Sequence, residues 1–246
     1  MIIPKKSLGQ NFLKDINIAK KIISTTNIYR KNIVEIGPGL GILTNKIIDL
    51  KPNKLSLIEK DSKIYDLLKK KYFSKKINIL NADVINFNFK NYKNFKIISN
   101  LPYNISSKFL LNTLINYNNN FTEIICMIQS ELADKFDYKK GKINKYKFLT
   151  QLCSQYEIKF KVSPNVFYPK PKVYSKVVRF IIIKQKIDCL KLNYFLKYFF
   201  INKRKKIKSN KYFINQISSK YLNYRYEDLK YNEVLEIYQR FKFSVS

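Results

Sequence analysis

Histidine is missing altogether from this chain of 246 residues. Its absence excludes a Ser-His-Asp triad, a Cys-His nucleophile pair and any histidine-ligated metal. The chemistry must proceed without imidazole, and no metal is expected. Cysteine is scarce too. Cys126, Cys153 and Cys189 form neither a disulfide framework nor a zinc pattern, and read as buried or incidental thiols. No apolar run reaches the roughly 18 residues that span a bilayer, and no basic helix with an aromatic face argues for a membrane surface. The opening Met1-Ile2-Ile3-Pro4-Lys5-Lys6 lacks the apolar stretch and cleavage site of a secretory signal. The expected location is therefore the cytoplasm, without a membrane partner. Acidic residues number only 17 against 48 lysines and arginines, and the arginines are limited to Arg30, Arg179, Arg204, Arg225 and Arg240.

What is present is a net charge of +31. An excess of that size attracts polyanions and favours nucleic acid over small neutral ligands. The codon bias of an A+T-rich genome accounts for lysine over arginine, but less well for the shortage of acids. Hydrophobic residues make up 46% of the chain, enough for a real core. The length suits one large α/β domain with a small appendage.

Short apolar runs alternate with helical periodicity. Residues 33–36, 55–59, 77–80, 96–99 and 123–128 read as strands, and 15–26, 40–50, 61–72, 106–116, 131–136 and 146–153 as helices. Asp15 is placed to cap the first helix. That alternation predicts right-handed crossovers and a mainly parallel sheet. Residues 156–162 and 175–183 read as later strands joined to one edge, and 188–246 as helical with no convincing strand. The predicted division is an α/β domain over 1–184 and a small helical domain over 185–246, hinged near Gln185-Lys186.

Four features converge on one rim of such a sheet. Gly37, Gly39 and Gly41 lie between a strand and a helix, where backbone can approach a nucleotide closely. Glu59 ends the next strand about 20 residues later, the spacing at which a carboxylate receives ribose hydroxyls. Asp83 follows the third strand, and Asn100-Leu101-Pro102-Tyr103 the fourth. Ligands of open parallel sheets bind at the carboxyl ends of strands. A dinucleotide and S-adenosylmethionine both fit this rim. The Gly-x-Gly-x-Gly spacing, the acid Glu35 before the loop and the Asn-Leu-Pro-Tyr run favour S-adenosylmethionine, whose sulfonium suits an acid-lined site.

Four segments carry a resemblance: Lys6-Ser7-Leu8-Gly9-Gln10-Asn11-Phe12-Leu13, Val34-Glu35-Ile36-Gly37-Pro38-Gly39-Leu40-Gly41, Asn100-Leu101-Pro102-Tyr103-Asn104-Ile105-Ser106, and Phe167-Tyr168-Pro169-Lys170-Pro171-Lys172-Val173-Tyr174-Ser175-Lys176-Val177-Val178. In this order they resemble the ribosomal RNA adenine N6-dimethyltransferases, most closely the bacterial small-subunit (16S) branch. The resemblance implies a Rossmann-like class I methyltransferase domain followed by a small C-terminal helical, RNA-binding domain. It implies methyl transfer from S-adenosylmethionine to two adjacent adenosines of a hairpin near the 3′ end of 16S rRNA, in an assembling subunit. It assigns cofactor contacts to Asn11, Leu13, Gly37, Glu59, Asp83 and Asn100, with the opening segment closing over the cofactor.

The expected catalytic group is Asn100, Leu101, Tyr103 and Phe167. The Asn100 side-chain oxygen and the Leu101 carbonyl would accept the two N6 hydrogens of adenine. Tyr103 would stack on the base, and Phe167 would cover its other face or simply pack in the core. Lys203, Arg204, Lys205, Lys206 and Lys208 would hold RNA phosphate. They stand where the family is usually arginine-rich, and Asn144-Lys145-Tyr146-Lys147 replaces a usual Gly-Arg-Leu-Ser, so RNA docking departs from the family pattern. Two other readings share these residues: a large-subunit methyltransferase of the macrolide-resistance type, and a non-catalytic RNA-binding assembly factor. A monomer is expected.

Overall fold

The computed structural model describes residues 3–73, 75–184, 186–201, 204–210 and 212–242. In chain order its strands and helices are β1 (Phe12–Leu13), α1 (Ile16–Ile23), β2 (Asn32–Ile36), α2 (Ile42–Asp49), β3 (Lys54–Glu59), α3 (Ser62–Lys71), β4 (Asn78–Asn81), β5 (Phe95–Asn100), α4 (Tyr103–Asn116), β6 (Phe121–Gln129), α5 (Ser130–Phe136), α6 (Lys145–Cys153), β7 (Ser154–Val162), β8 (Phe167–Tyr168), β9 (Ser175–Ile182), α7 (Cys189–Phe199) and α8 (Tyr231–Arg240).

Seven strands form one sheet in the order β4-β3-β2-β5-β6-β9-β7. The five from β4 to β6 run parallel, and β9 and β7 add antiparallel at the β6 edge. This is the predicted α/β architecture, with both late strands on one edge. The chain order reverses between β2 and β5. The carboxyl ends of those two strands therefore flank the switch point where an open α/β sheet receives its ligand.

Parallel strands covered on both faces read as continuous apolar runs. Alternate residues divide between two apolar clusters. Val34, Ile97 and Ile124 join the cluster that contains Phe109 and Leu110 of α4. Ile33, Ile98 and Ile125 join the one that contains Ile22 of α1, Ile47 of α2 and Ile64 of α3. The first cluster continues through Phe148 of α6 to Phe195 and Phe199 of α7 and Val234 of α8.

Caps explain several boundaries. The Asp15 carboxylate accepts the Asn17 and Ile18 N–H groups, Asp61 accepts that of Lys63, and Asn144 accepts those of Tyr146 and Lys147. Helix α2 starts later than its periodicity predicts, because Gly41 before it is left-handed at φ 82°. Helix α4 starts earlier, at Tyr103, because Pro102 is its N-cap, and the Pro102 carbonyl accepts the Ile105 and Ser106 N–H groups.

One expectation needs correction, and one pairing adds to the expected fold. Between α7 and α8 the described residues do not form regular helix. They form short 3-10 turns at Ile207–Ser209, Ser219–Tyr221 and Tyr226–Asp228, with a bridge between Lys206 and Arg225. Ile207, Phe213, Tyr221 and Tyr226 are buried one by one, and the intervening Asn and Ser residues bond backbone in competition with helix. The added pairing is β1 antiparallel with β8, matching Phe12 with Tyr168 and Leu13 with Phe167. Gln185 of the expected hinge lies outside the described residues.

Candidate active site

A cavity of about 1030 Å³, its open mouth included, lies at the carboxyl ends of β2, β3, β4 and β5. Its walls bring together Asn11, Leu13, Gly37, Glu59, Asp83, Asn100, Leu101 and Tyr103. Asn11 and Tyr103, 92 positions apart, thus meet because the opening segment folds over a rim where the parallel strands β4, β3, β2 and β5 end side by side.

The glycine loop forms the floor. The Gly37 N–H donates to the Ile58 carbonyl at 2.9 Å, tying the loop to β3. Gly39 has φ 54°, and a Cβ there would meet the Phe12 ring at 3.0 Å. Only glycine meets both demands without strain.

Acids line the cavity at three depths. Glu35 is buried and accepts the Thr44 hydroxyl at 2.7 Å. Burial pushes its carboxyl up to about 8. Glu59 is also buried and accepts the N–H groups of Asp61 at 2.9 Å and Gly39 at 3.4 Å. Burial raises its pKa, against those backbone bonds. Nearer solvent, Asp83 accepts Lys60 Nζ at 2.8 Å and the Ile85 N–H at 3.0 Å. The Lys60 bond holds its pKa below the ordinary value. Two acids biased towards neutrality around a cavity are stabilised as anions by a bound cation. The donor set therefore fits a sulfonium-bearing nucleoside.

Glu35 gives the fold a pH signature. The unfolded carboxyl titrates near 4.5 and the folded one near 8. Between those values the folded state binds more protons, so stability falls as pH rises, by up to about 1.4 kcal/mol per pH unit. Glu59 adds in the same direction. Glu35→Gln is expected to flatten this fall, read as the difference between urea midpoints at pH 5 and pH 8. An undiminished difference in the variant would show that Glu35 is not the titrating group.

The opening segment covers the cavity, with Ser7 to Leu13 all in its wall. Its fastenings are polar. Lys5 pairs with Asp61 at 2.8 Å, and Gln10 Nε2 donates to Asp61 at 3.1 Å. Burial alone would raise the Asp61 pKa, but the Lys5 and Gln10 bonds outweigh it and the net shift is down. The Lys14 N–H donates to the Val166 carbonyl at 2.9 Å, extending the β1–β8 pairing. Sequence reasoning missed Asp61 in this role. As the capping residue two positions beyond Glu59 it was visible, but its partners Lys5 and Gln10 are remote in sequence.

At the tip of β5, Asn100 Nδ2 donates to the Asn11 carbonyl at 2.9 Å. The Leu101 N–H donates to the Met127 carbonyl at 3.2 Å. Among the described residues, no hydrogen bond ends on Asn100 Oδ1 or on the Leu101 carbonyl. The Tyr103 phenol is 2.6 Å from Ser175 Oγ, which fastens it to the start of β9.

Other expected site residues lie elsewhere. Phe167 is 2% exposed, packs in the cluster with Phe12, Leu13 and Val177, and does not line the cavity. Its β-pairing with Leu13 turns it into the core, so of its two expected roles the structure shows packing. Arg204, Lys205, Lys206 and Lys208 are exposed and apart from the cavity wall. They sit on a turn anchored by buried Ile207 and Asn210, whose side-chain amide donates to the Tyr198 carbonyl at 2.9 Å. Lys203 lies outside the described residues. Among the described residues, no cluster of three metal-ligating side chains occurs and no helix is long and apolar enough to cross a membrane.

Comparison with known proteins bears on this geometry. A family profile described as ribosomal RNA adenine dimethylase matches residues 3–243. The chain is 36% identical to a ribosomal RNA small subunit methyltransferase A of Hydrogenobaculum sp. (strain Y04AAS1), over 97% of this chain and 93% of the relative. It is 42% identical to the protein of that name from Mesomycoplasma hyopneumoniae (strain 232), over 72% of this chain and 69% of the relative. The crystal structure of a dimethyladenosine transferase from Plasmodium falciparum superposes with a TM-score of 0.74 at 22% identity, covering 92% of this chain and 95% of that one, which supports the fold.

Proposed function

This chain belongs to the ribosomal RNA adenine dimethylase family, and from that membership we propose how its site is used. It is an S-adenosylmethionine-dependent rRNA adenine dimethyltransferase acting on small-subunit (16S) rRNA. In our reading the targets are two adjacent adenosines of a 3′-terminal hairpin, modified while the subunit assembles. The protein acts as a monomer in the cytoplasm, with 1–184 for cofactor and chemistry and 185–246 for RNA.

S-adenosylmethionine supplies an electrophilic methyl group on a cationic sulfur. The chain's residues hold it and the acceptor in line. Glu59 would receive the ribose hydroxyls, Asp83 would take the adenine amine in place of Lys60, and Gly37 would give close backbone approach. Asn11 and Leu13 close the site from the opening segment.

Adenine N6 is a poor nucleophile, because its lone pair is delocalised into the ring. Asn100 Oδ1 and the Leu101 carbonyl accept the N6 hydrogens and draw the lone pair out of conjugation. The bond from Asn100 Nδ2 to Asn11 fixes which end of the carboxamide faces the base. That polarity supports the reading more than any other observation. Tyr103, steadied by Ser175, stacks on the base, at about 1–3 kcal/mol for such a contact. Positioning carries much of the rate. The nitrogen becomes acidic on alkylation and sheds a proton to water or through a carbonyl, so imidazole is not needed.

The test is labelled S-adenosylmethionine offered with undermethylated small subunits and, separately, with large subunits. Label in N6,N6-dimethyladenosine of the small subunit alone is expected. Label in the large subunit, or none, contradicts the assignment.

The turn carrying Arg204, Lys205, Lys206 and Lys208 contributes phosphate contacts, which position RNA without reading its sequence. Reversing Lys205 and Lys206 to glutamate is expected to raise KM for subunits and to reduce the slope of log KM against log salt by about 1 per lost contact. An unchanged slope removes these lysines from the interface.

A further inference from the structure

Two exposed tyrosines on the segment leading into β9 are left over by methyl transfer. Tyr168 is 62% exposed and Tyr174 is 48% exposed. Both sit close to the reacting tip through short chains of contact. Tyr168 pairs in β8 with Phe12, the neighbour of the Asn11 that accepts the Asn100 amide. Tyr174 precedes Ser175, the partner of the Tyr103 phenol, and its carbonyl accepts the Ser130 N–H at 2.9 Å.

The loop that carries these rings is itself cationic. Lys170 and Lys172 are exposed between them. Lys161 Nζ lies 3.8 Å from the centroid of the Tyr174 ring. From Glu157 to Asp188 the chain has no intervening acid. Pro169 and Pro171 limit the loop's conformations, which lowers the entropy lost when it orders against a partner. An apolar protein face would match the exposed aromatics but not the lysines spread through this acid-free stretch. Single-stranded RNA matches both, because its bases stack on aromatic faces while its phosphates meet cations.

We propose that Tyr168 and Tyr174 form a stacking platform for unpaired nucleotides flanking the target adenosine, with Lys170 and Lys172 on their phosphates. The proposal rests on the reading of Asn100 as the site that receives that adenosine. It adds a device that keeps the extruded base from returning to its stack, by giving its neighbours other faces to stack on.

Two measurements test it. Steady-state methylation of undermethylated small subunits by Tyr168→Ala and Tyr174→Ala should show KM raised about tenfold for each, with the dissociation constant for S-adenosylmethionine unchanged by calorimetry. The Tyr→Phe variants should retain wild-type KM, and Tyr→Leu should not. Separately, 2-aminopurine placed beside the target adenosine in a short hairpin RNA should be quenched by wild-type protein and less so by the alanine variants. Unchanged KM and quenching in both alanine variants would overturn the platform, as would leucine performing as well as phenylalanine. If wild-type protein methylates no subunits, the rRNA assignment fails instead, and the fluorescence still decides whether the rings stack on bases.

Discussion

Asn100→Ala is expected to slow methyl transfer at least about 100-fold, equivalent to about 2.7 kcal/mol of transition-state stabilisation. The carboxamide has two functions at the tip of β5. Its nitrogen is bound to the Asn11 carbonyl, and in the proposed function its oxygen would face the acceptor base. Alanine removes both. Loss of the oxygen leaves one N6 hydrogen without an acceptor, so the amine lone pair stays delocalised. Loss of the nitrogen releases the opening segment at only one of several fastenings. Lys5, Gln10 and the β1–β8 pairing remain, so S-adenosylmethionine should still bind, weakened much less than the rate. Single-turnover assays with tritiated donor, alongside calorimetric donor binding, separate the two effects. A variant with near wild-type turnover contradicts the role given to Asn100. A variant whose donor binding falls as far as its rate shifts that role from catalysis to closure.

Glu59→Ala should act on the other substrate. Its carboxylate is buried and organises two backbone N–H groups, from Gly39 in the glycine loop and Asp61 at the head of α3. A hydrogen bond to a charged group contributes about 1.5–3 kcal/mol, so loss of the ribose contacts should weaken S-adenosylmethionine about 10- to 150-fold. The cost extends to the apo fold, because both N–H groups lose their acceptor. Glu59→Gln keeps an acceptor and should fall between wild type and alanine in donor affinity. Calorimetry on the three proteins gives the order directly, and equal affinity for wild type and alanine would remove Glu59 from the cofactor site.

Much of this site was legible in the sequence, because local physics defined it. Ile33 to Ile36 and Leu55 to Glu59 could be read as strands from apolar runs bounded by turn residues. The parallel arrangement then places Gly37, Glu59, Asp83 and Asn100 on one rim without further information. Asp15 and Asp61 were readable as helix starts by the same local chemistry. What escaped depends on remote partners. Strands β1 and β8 are two residues long and have no period to detect, yet their pairing closes the site and turns Phe167 into the core. A single aromatic in a loop carries no signal of whether it faces base or core. Between α7 and α8 the buried aromatics are spaced irregularly, so helical texture was overread where isolated rings anchor turns.

The account turns on the orientation of one carboxamide beside an adenine amine. A crystal structure with S-adenosylhomocysteine and a hairpin RNA carrying the two target adenosines tests it directly. We expect the N6 nitrogen within about 3.2 Å of both Asn100 Oδ1 and the Leu101 carbonyl oxygen, on the side facing the cofactor sulfur. An adenine held at another part of the rim, or an Asn100 presenting its nitrogen to the base, would contradict it.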